Sequence, residues 1–554
     1  MEFGELAERA EKVEELSGDY DKTDEVARLF GESETDEDLE ISARFIQGRL
    51  FPSWDDTKLD VGRSLLYDGL SLATGVTADE VEEKVKDMGD VGLAAESFDY
   101  GGQMTLGSTD LTLEYVHRRL RDLAEASGGG SQKKKVRTLS DLFNDAKPKE
   151  AKYIARLVAG EMRVGVSEGT VRDAVAEAFG VDVDEVERGL MVTNDAGEVA
   201  VRARDGDLSN LSMEVGRPVK PMLAQAGSVE EIVDEAGEVA VETKYDGARL
   251  QIHREMNCGG DGDGDGSEYR LFSRKLEDVT ESLPDVVGIL EDDIDVDESL
   301  ILDSEVVAVE EGEPLAFQEV LRRFRRKYDV ERMTDEVELQ VNVFDVLYRS
   351  TEGELIDLPL RKRYDHLSEV VPDVSADHSL SKDIAEVRRV EKKALDEGHE
   401  GVMVKKPGST YSPGKRGKDW IKVKPEPETL DLVVVGGEWG EGRRADMIGS
   451  YLLAATDGDG SDLKTVGKVA TGLTDEDLER LTQRFESLIT HEDGKEIEFR
   501  PEVVFEVGYE EIQTSPKYTS GYALRFPRFL GVREDKSVDD ADTVERIERL
   551  VSSR

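Results

Sequence analysis

Apolar positions along this chain change period near Pro218, from three-and-four spacing to strict alternation. Before about residue 212 the pattern predicts helices, as in KPKEAKYIARLVAGEMRVG (147–165) and SEGTVRDAVAEAFG (167–180). In the second segment Ser167, with Glu168 and Thr170, offers helix-start chemistry ahead of a Val171, Ala174, Val175 and Ala178 face. SGGGSQKKK (Ser127–Lys135) is expected to be a flexible surface loop carrying one of the few basic runs. After Pro218 short alternating segments predict strands: EVAVETKYDG, ARLQIHRE, LILDSEVVAV, LQVNVFDVLY, EGVMVKKP and DWIKVKP. Helical stretches such as AFQEVLRRFRRK and VRRVEKKALDEGH separate some of them. From about Leu430 the chain is strand-rich again (DLVVVGGEW, SYLLAATD, PEVVFEVGYEEI) and ends in a short helix, DTVERIERLV.

A chain of 554 residues is too long for one hydrophobic core, so three or four domains are expected. The pattern supplies three: an all-α region over 1–212, an α+β region over 213–427, and a small β-barrel of OB type over 428–554. No internal repeat stands out. No apolar run is long enough for a transmembrane helix, and MEFGELAERAEKVEEL reads as an acidic helix rather than a signal peptide. The expected setting is the cytoplasm. The single cysteine, Cys258, excludes an intramolecular disulfide framework and a zinc site built on several cysteines. A Gly/Asp insertion, Asn257–Arg270, has a superficial calcium-loop look but lacks the twelfth-position glutamate and flanking helices.

Charge complicates the picture. The chain carries 125 acids against 72 bases, a net charge of −53, which in dilute buffer would repel a polyanion. The acids are scattered rather than gathered in a tail. That distribution suits molar salt, where the Debye length is about 3 Å and only contact-range charges count.

The candidate chemistry centres on ETKYDGAR (Glu242–Arg249). In an extended strand Glu242 and Lys244 share a face, ahead of a turn at Asp246–Gly247. A lysine nucleophile must shed its proton, and glycine lets backbone approach a phosphate closely. Downstream, Asp303 and Glu305 share a face with Ile301 and Val307, and Phe344 faces opposite to Asp345. HEGVMVKKP supplies Glu400 and Lys405. In KRGKDWIKVK, Trp420, Lys422 and Lys424 share a face while Ile421 and Val423 point inward. Lysines, an arginine and carboxylates on successive strand faces suit a metal-bound phosphate.

Taken in order, these motifs resemble the ATP-dependent DNA ligases of archaeal and eukaryotic replicative type, within the covalent nucleotidyltransferase superfamily. The likeness runs from LVAGEMRVGVSEGTV through PVKPMLA (Pro218–Ala224) to RFPRFLGVREDK (Arg525–Lys536). It implies an adenylation domain at 213–427 that uses ATP and Mg²⁺ to seal nicked duplex DNA through a lysyl-AMP intermediate on Lys244. By the same resemblance Glu242 faces the adenine edge and Phe344 stacks on the base. Arg249 and Arg274 contact ribose or phosphates. Glu305 lies near the ribose and a metal, and Glu400 near the Mg²⁺. Lys422 and Lys424 hold the α-phosphate with Arg416 close by. Arg525, Arg528, Arg533, Asp535 and Lys536 orient the leaving pyrophosphate, so the barrel domain must close for self-adenylation and swing away for DNA. One departure is Ser273–Lys275, where animal relatives tend to have an asparagine third.

The helical block resembles the family's DNA-binding domain, with Lys147, Lys149, Lys152, Arg156 and Arg163 as candidate DNA contacts. GGQMTLGSTDLTL lies where archaeal relatives carry a sliding-clamp peptide; Gln103 and Leu106 are present, but its aromatic pair is not. A monomer is expected. Alternatives are an RNA ligase or capping guanylyltransferase, which lack the helical block and RFPRF, and an acidic non-catalytic scaffold, which leaves the ordered motifs unexplained. NAD-dependent ligases need cysteine-liganded zinc.

Overall fold

The three-and-four spacing before residue 212 becomes twelve α-helices among the described residues, from Phe3–Glu15 to Ala196–Asp205. Their apolar faces meet in one core that includes Phe30, Phe45, Leu120, Phe143, Ile154 and Val175. Helix Glu168–Phe179 starts as its sequence predicts. The Ser167 hydroxyl accepts from the Thr170 amide at 3.1 Å, giving a partner to an N–H that has none inside the helix. The computed structural model describes residues 1–55, 57–100, 111–256, 267–315, 317–324, 330–424, 428–440, 444, 446–457 and 462–552. The clamp-like peptide with Gln103 and Leu106, and Cys258 with most of the Gly/Asp insertion, lie outside them.

One expectation is corrected here. Ser127–Lys135 is not a loop throughout, because helix Ser131–Asp145 begins inside it. Lys133 and Lys134 stay exposed, whereas Lys135 is buried and its Nζ donates to the Leu59 carbonyl at 2.7 Å. Lys135 falls on the same helical face as Thr138, Leu139 and Leu142, and that face is turned into the core.

The chain divides into two units, Met1–Lys424 and Pro425–Arg554. Within the first, eleven strands among the described residues form two sheets. They are β1 (Leu223–Ala226), β2 (Val239–Lys244), β3 (Ala248–Met256), β4 (Ser267–Ser273), β5 (Leu300–Glu310), β6 (Glu313–Pro314), β7 (Glu338–Arg349), β8 (Gly353–Glu354), β9 (His378–Ser381), β10 (Gly401–Lys405) and β11 (Arg416–Val423). The first sheet runs β1-β11-β10-β2-β9; the second runs β4-β3-β5-β7-β8, with β6 beside β5. Since β2 belongs to one sheet and β3 to the other, the turn Tyr245–Gly247 carries the chain across. The alternation of β2 is real: Val239 and Val241 pack with helices Val229–Ala236 and Ile384–Asp396, and Ala240 packs in the opposite core. A core of Ile301, Leu347, Tyr411 and Trp420 joins residues of both sheets, with Phe344 packed against it.

The second unit is strand-rich, as an OB-type domain requires. Its longest strand, β12 (Glu428–Trp439), pairs with β13 (Ile448–Thr456) on one side. On the other side it pairs successively with β16 (Glu496–Phe499) and β17 (Val504–Tyr509). β14 (Leu463–Val469), β15 (Ile489–Asp493) and β20 (Arg528–Val532) extend this sheet, and β18 (Glu511–Thr514) pairs with β19 (Tyr522–Arg525) as a hairpin. Tyr451, Phe485, Phe499, Phe505 and Phe529 fill its core. No helix among the described residues is long and apolar enough to cross a membrane.

Candidate active site

Lys244 ends β2, immediately before the crossover turn. Its Nζ pairs with the Glu400 carboxylate, and Lys424 reaches the same oxygen at 3.0 Å. Backbone register brings this about: Gly401 is opposite Lys244, and the Glu400 amide donates to the Lys244 carbonyl at 3.0 Å. Burial alone would raise the Glu400 carboxyl, but the two lysines outweigh it and hold it below its ordinary range. Glu305 faces this corner from β5. It is only half-covered by area, yet desolvation at the base of the site raises its carboxyl to about 7, against the pull of Lys244 and Arg249. The Glu305 carboxylate makes no hydrogen bond among the described residues. The turn itself demands glycine: a Cβ on Gly247 would stand 2.4 Å from the Val306 carbonyl oxygen of β5. The close approach here is to a strand of the second sheet, a constraint the sequence did not show.

A second corner lies one residue pair back along β2. Glu242 is 3% exposed and pairs with Lys405, itself 1% exposed by side chain, at 2.7 and 2.6 Å to its two oxygens. The Tyr364 hydroxyl donates to the same carboxylate. Lys405 also lies over the rings of Trp420 (4.2 Å) and Phe344 (4.8 Å). Phe344 gets there through an irregularity. On β7 the register skips it, pairing Asp345 with Asp303 and Val343 with Ser304, so Phe344 is the extra residue of a bulge. Bulges re-aim a side chain, and this one puts Phe344 edge-on to Trp420 at 6.2 Å. Trp420 corrects the face assigned to it. It is buried between the sheets, so at this point β11 is covered on both sides rather than on the Ile421 and Val423 side alone.

Arg249 is tied down on several sides. It donates to Asp303 at 2.9 and 2.5 Å, to the Met222 carbonyl at 2.6 Å and to the Tyr411 hydroxyl at 3.1 Å. Its guanidinium lies 5.3 Å from the Phe344 ring centre. Tyr411 in turn donates to Asp303 at 2.6 Å. Arg274 is exposed on the turn after β4, Arg416 is exposed at the start of β11, and Lys422 is half-buried on that strand. Sequence reading gave no role to Tyr364 or Tyr411, and named Lys405 among the residues suited to a metal-bound phosphate rather than as a partner of Glu242. The first two stand in a helix and a loop with no motif around them, and Lys405 was visible only as part of HEGVMVKKP.

The helical region treats its basic residues differently. Arg156 is 2% exposed and binds Glu14 (2.9 and 3.0 Å), Asp90 (2.8 and 3.3 Å) and the Met162 carbonyl (3.1 Å). Lys152, also buried, pairs with Glu14 at 3.0 Å. Both were expected to point at DNA; they are internal struts instead, because acids on neighbouring helices face them. Lys147, Lys149 and Arg163 keep exposed side chains, each beside an acid: Glu150, Glu11 and Glu161 respectively. In the second unit Arg533 joins Asp431 (2.9 Å) to Asp535 (2.8 Å), and Lys536 also reaches Asp431 at 2.5 Å. Asp535 is thereby pulled down to about 2. Arg525 pairs with Glu511 at 3.1 Å, and Arg528 is exposed.

Comparison with known proteins matches three successive stretches to family models. They are "DNA ligase N terminus" (residues 2–176), "ATP dependent DNA ligase domain" (221–424) and "ATP dependent DNA ligase C terminal region" (444–536). The DNA ligase of Natronomonas pharaonis is 52% identical over 565 residues, covering 100% of both chains. That of Archaeoglobus fulgidus is 46% identical over 559 residues, covering 99% of this chain and 98% of its own. A solved structure named Pmar-Lig_Pre matches the fold with a TM-score of 0.59 at 17% identity, over 96% of this chain and 99% of that one. Sequence order, the lysine-centred site and identity along the whole chain agree: this protein belongs to the ATP-dependent DNA ligase family.

Proposed function

We propose that Lys244 is the nucleophile with which this ligase takes AMP from ATP and passes it to the 5′-phosphate of a nick. The observation that carries the assignment is the convergence of Lys244 and Lys424 on one carboxylate, Glu400, with Glu305 facing them. In the first step the Lys244 amine, having lost a proton, forms a bond to the α-phosphorus as the bond to pyrophosphate breaks. Lys424 and Lys422 neutralise charge on the α-phosphate. In the second step the nick 5′-phosphate displaces Lys244, forming a phosphoanhydride, and the amine recovers its proton. In the third the 3′-hydroxyl attacks that 5′-phosphate, loses its proton and releases AMP.

Mg²⁺ fits the donor set. Among the described residues no group of three or more His, Cys, Asp or Glu could cage an ion, but Mg²⁺ is commonly held by one or two carboxylates plus phosphate oxygens. Glu305 and Glu400 would hold it, and when bound it would polarise the phosphate oxygens as a Lewis acid. Glu242 would face the adenine edge and Phe344 would stack on the base. Arg249, Arg274 and Arg416 would lie along ribose and phosphates. Arg525, Arg528, Arg533, Asp535 and Lys536 would orient the pyrophosphate.

The same proposal covers three functional domains bounded near residues 212 and 427; three separate family matches and the break at Lys424 support it. It also covers DNA contacts by Lys147, Lys149 and Arg163, a sliding-clamp contact through Gln103 and Leu106, a monomeric state, a cytoplasmic setting and a working range in molar salt. The test is to give wild type and Lys244→Ala α-labelled ATP, Mg²⁺ and a singly nicked duplex across low to multi-molar KCl. Label and sealing should appear in wild type at high salt and neither in the variant. A variant that still takes label would remove Lys244 from the mechanism.

A further inference from the structure

The geometry points to Lys405 as the residue that sets which base this enzyme accepts, by fixing Glu242 as a pure hydrogen-bond acceptor. The inference rests on the reading that Glu242 faces the base. An ionised carboxylate offers about four acceptor positions on its two oxygens and no donor. Here Lys405 takes one on each oxygen, at 2.7 and 2.6 Å, and the Tyr364 hydroxyl takes a second on Oε1. One acceptor position remains, on Oε2. Tyr364 is itself held in place by His378, stacked on its ring at 3.9 Å with an interplanar angle of 18°. His378 stands opposite Glu242 in the β2–β9 register, so the clamp and the carboxylate are positioned together.

An adenine exocyclic amine can donate to that last position. A guanine presents a carbonyl oxygen at the corresponding edge, and a lone pair would then meet a carboxylate. The discrimination depends on the donors that hold both Glu242 oxygens and leave one acceptor position for the base. Glu242 is almost fully covered, and the aromatic walls around Lys405 are Phe344 and Trp420. Without the Lys405 ammonium each Glu242 oxygen loses a donor and the carboxylate is free to turn, so the base no longer meets a fixed acceptor and the guanine carbonyl is no longer excluded. A buried ion pair gives little net stability, so selection of the base is a sufficient reason for this one to exist. Lys405 is thus a positioning residue, acting on the nucleotide through Glu242.

The experiment compares label transfer from α-labelled ATP and α-labelled GTP to wild type, Lys405→Met, Lys405→Gln and Glu242→Gln, all as full chains in molar KCl. The readout is the ATP-to-GTP ratio of kcat/KM for enzyme labelling. Wild type should prefer ATP strongly, and both Lys405 variants should lower the ratio by at least about tenfold, since polar selection of this kind is worth far more than that when intact. Glu242→Gln, which can both donate and accept, should lower it as well. If the Lys405 variants slow both nucleotides equally and only Glu242→Gln moves the ratio, Lys405 is structural and the inference falls. If Glu242→Gln leaves the ratio untouched, the base-facing reading itself fails. A wild type indifferent to the base overturns both. Should the methionine variant not fold, the glutamine variant, which fills similar space without the ammonium that spans both Glu242 oxygens, decides alone.

Discussion

The lysines of the nucleotide site and the basic residues of helix Pro148–Ala159 are similar on paper and opposite in use. Lys244 and Lys424 converge on one carboxylate, Glu400, at a corner where both lysine side chains stay partly exposed, 21% and 28%, within reach of an incoming anion. Lys152 and Arg156 meet more acid than they carry charge, from Glu11, Glu14 and Asp90. In a protein with a net charge of −53, neighbouring acids thus gather one pair of basic residues at an accessible site and bury another.

That contrast can be broken by substitution. Lys244→Ala should abolish labelling from ATP and nick sealing at every KCl concentration, a loss on the order of 10⁴-fold or more, read by gel. Arg156→Ala should leave labelling per folded molecule unchanged but lower unfolding stability by about 3 kcal/mol in urea titrations, because Glu14 and Asp90 would lose the buried cation that joins them. Normal stability with weakened DNA binding would instead return Arg156 to the DNA surface. Glu400→Gln should raise the Mg²⁺ needed for half-maximal labelling by more than about 100-fold, beyond what even an outer partner of a metal costs. An unchanged requirement would leave Glu400 as a counter-ion only.

A pH effect concerns His253, where the two regions join. Buried on β3, it accepts from the Gly216 amide at 2.9 Å, and Gln251 beside it holds Val219. Desolvation pushes its pKa down to about 3 from 6.5. Between those values the unfolded chain binds a proton that the folded one refuses. Stability should therefore be lost as pH falls through that window, by at most about 1.4 kcal/mol per pH unit. His253→Gln should flatten the slope in pH-dependent melts; an unaltered slope would assign acid sensitivity elsewhere, His117 being the other deeply depressed histidine.

Much of the site could be read from alternation. Glu242 with Lys244, and Asp303 with Glu305, were placed on shared faces by a period of two, and β2 and β5 have it. Alternation failed where the backbone departs from it: no counting of residues reveals that Phe344 is the extra residue of a bulge. It failed again where partners are distant. Arg156 meets Glu14 and Asp90 from 142 and 66 residues away, and nothing near it in sequence separates a strut from a solvent-facing charge. Lys135 was hidden by composition, since a glycine-rich approach suggests a loop and the helical face appears only beyond it.

The glycine at 247 has a further consequence for anyone redesigning this enzyme. Because a single methyl there would collide with the Val306 carbonyl, the gap between the crossover turn and β5 is set by hydrogen alone. The nucleophile on one sheet and Glu305 on the other are held at a gauge that side-chain choice cannot widen. Laboratory evolution toward bulkier nucleotides must therefore find its room at the Phe344 end of the site, where an inserted residue already shows that the backbone yields.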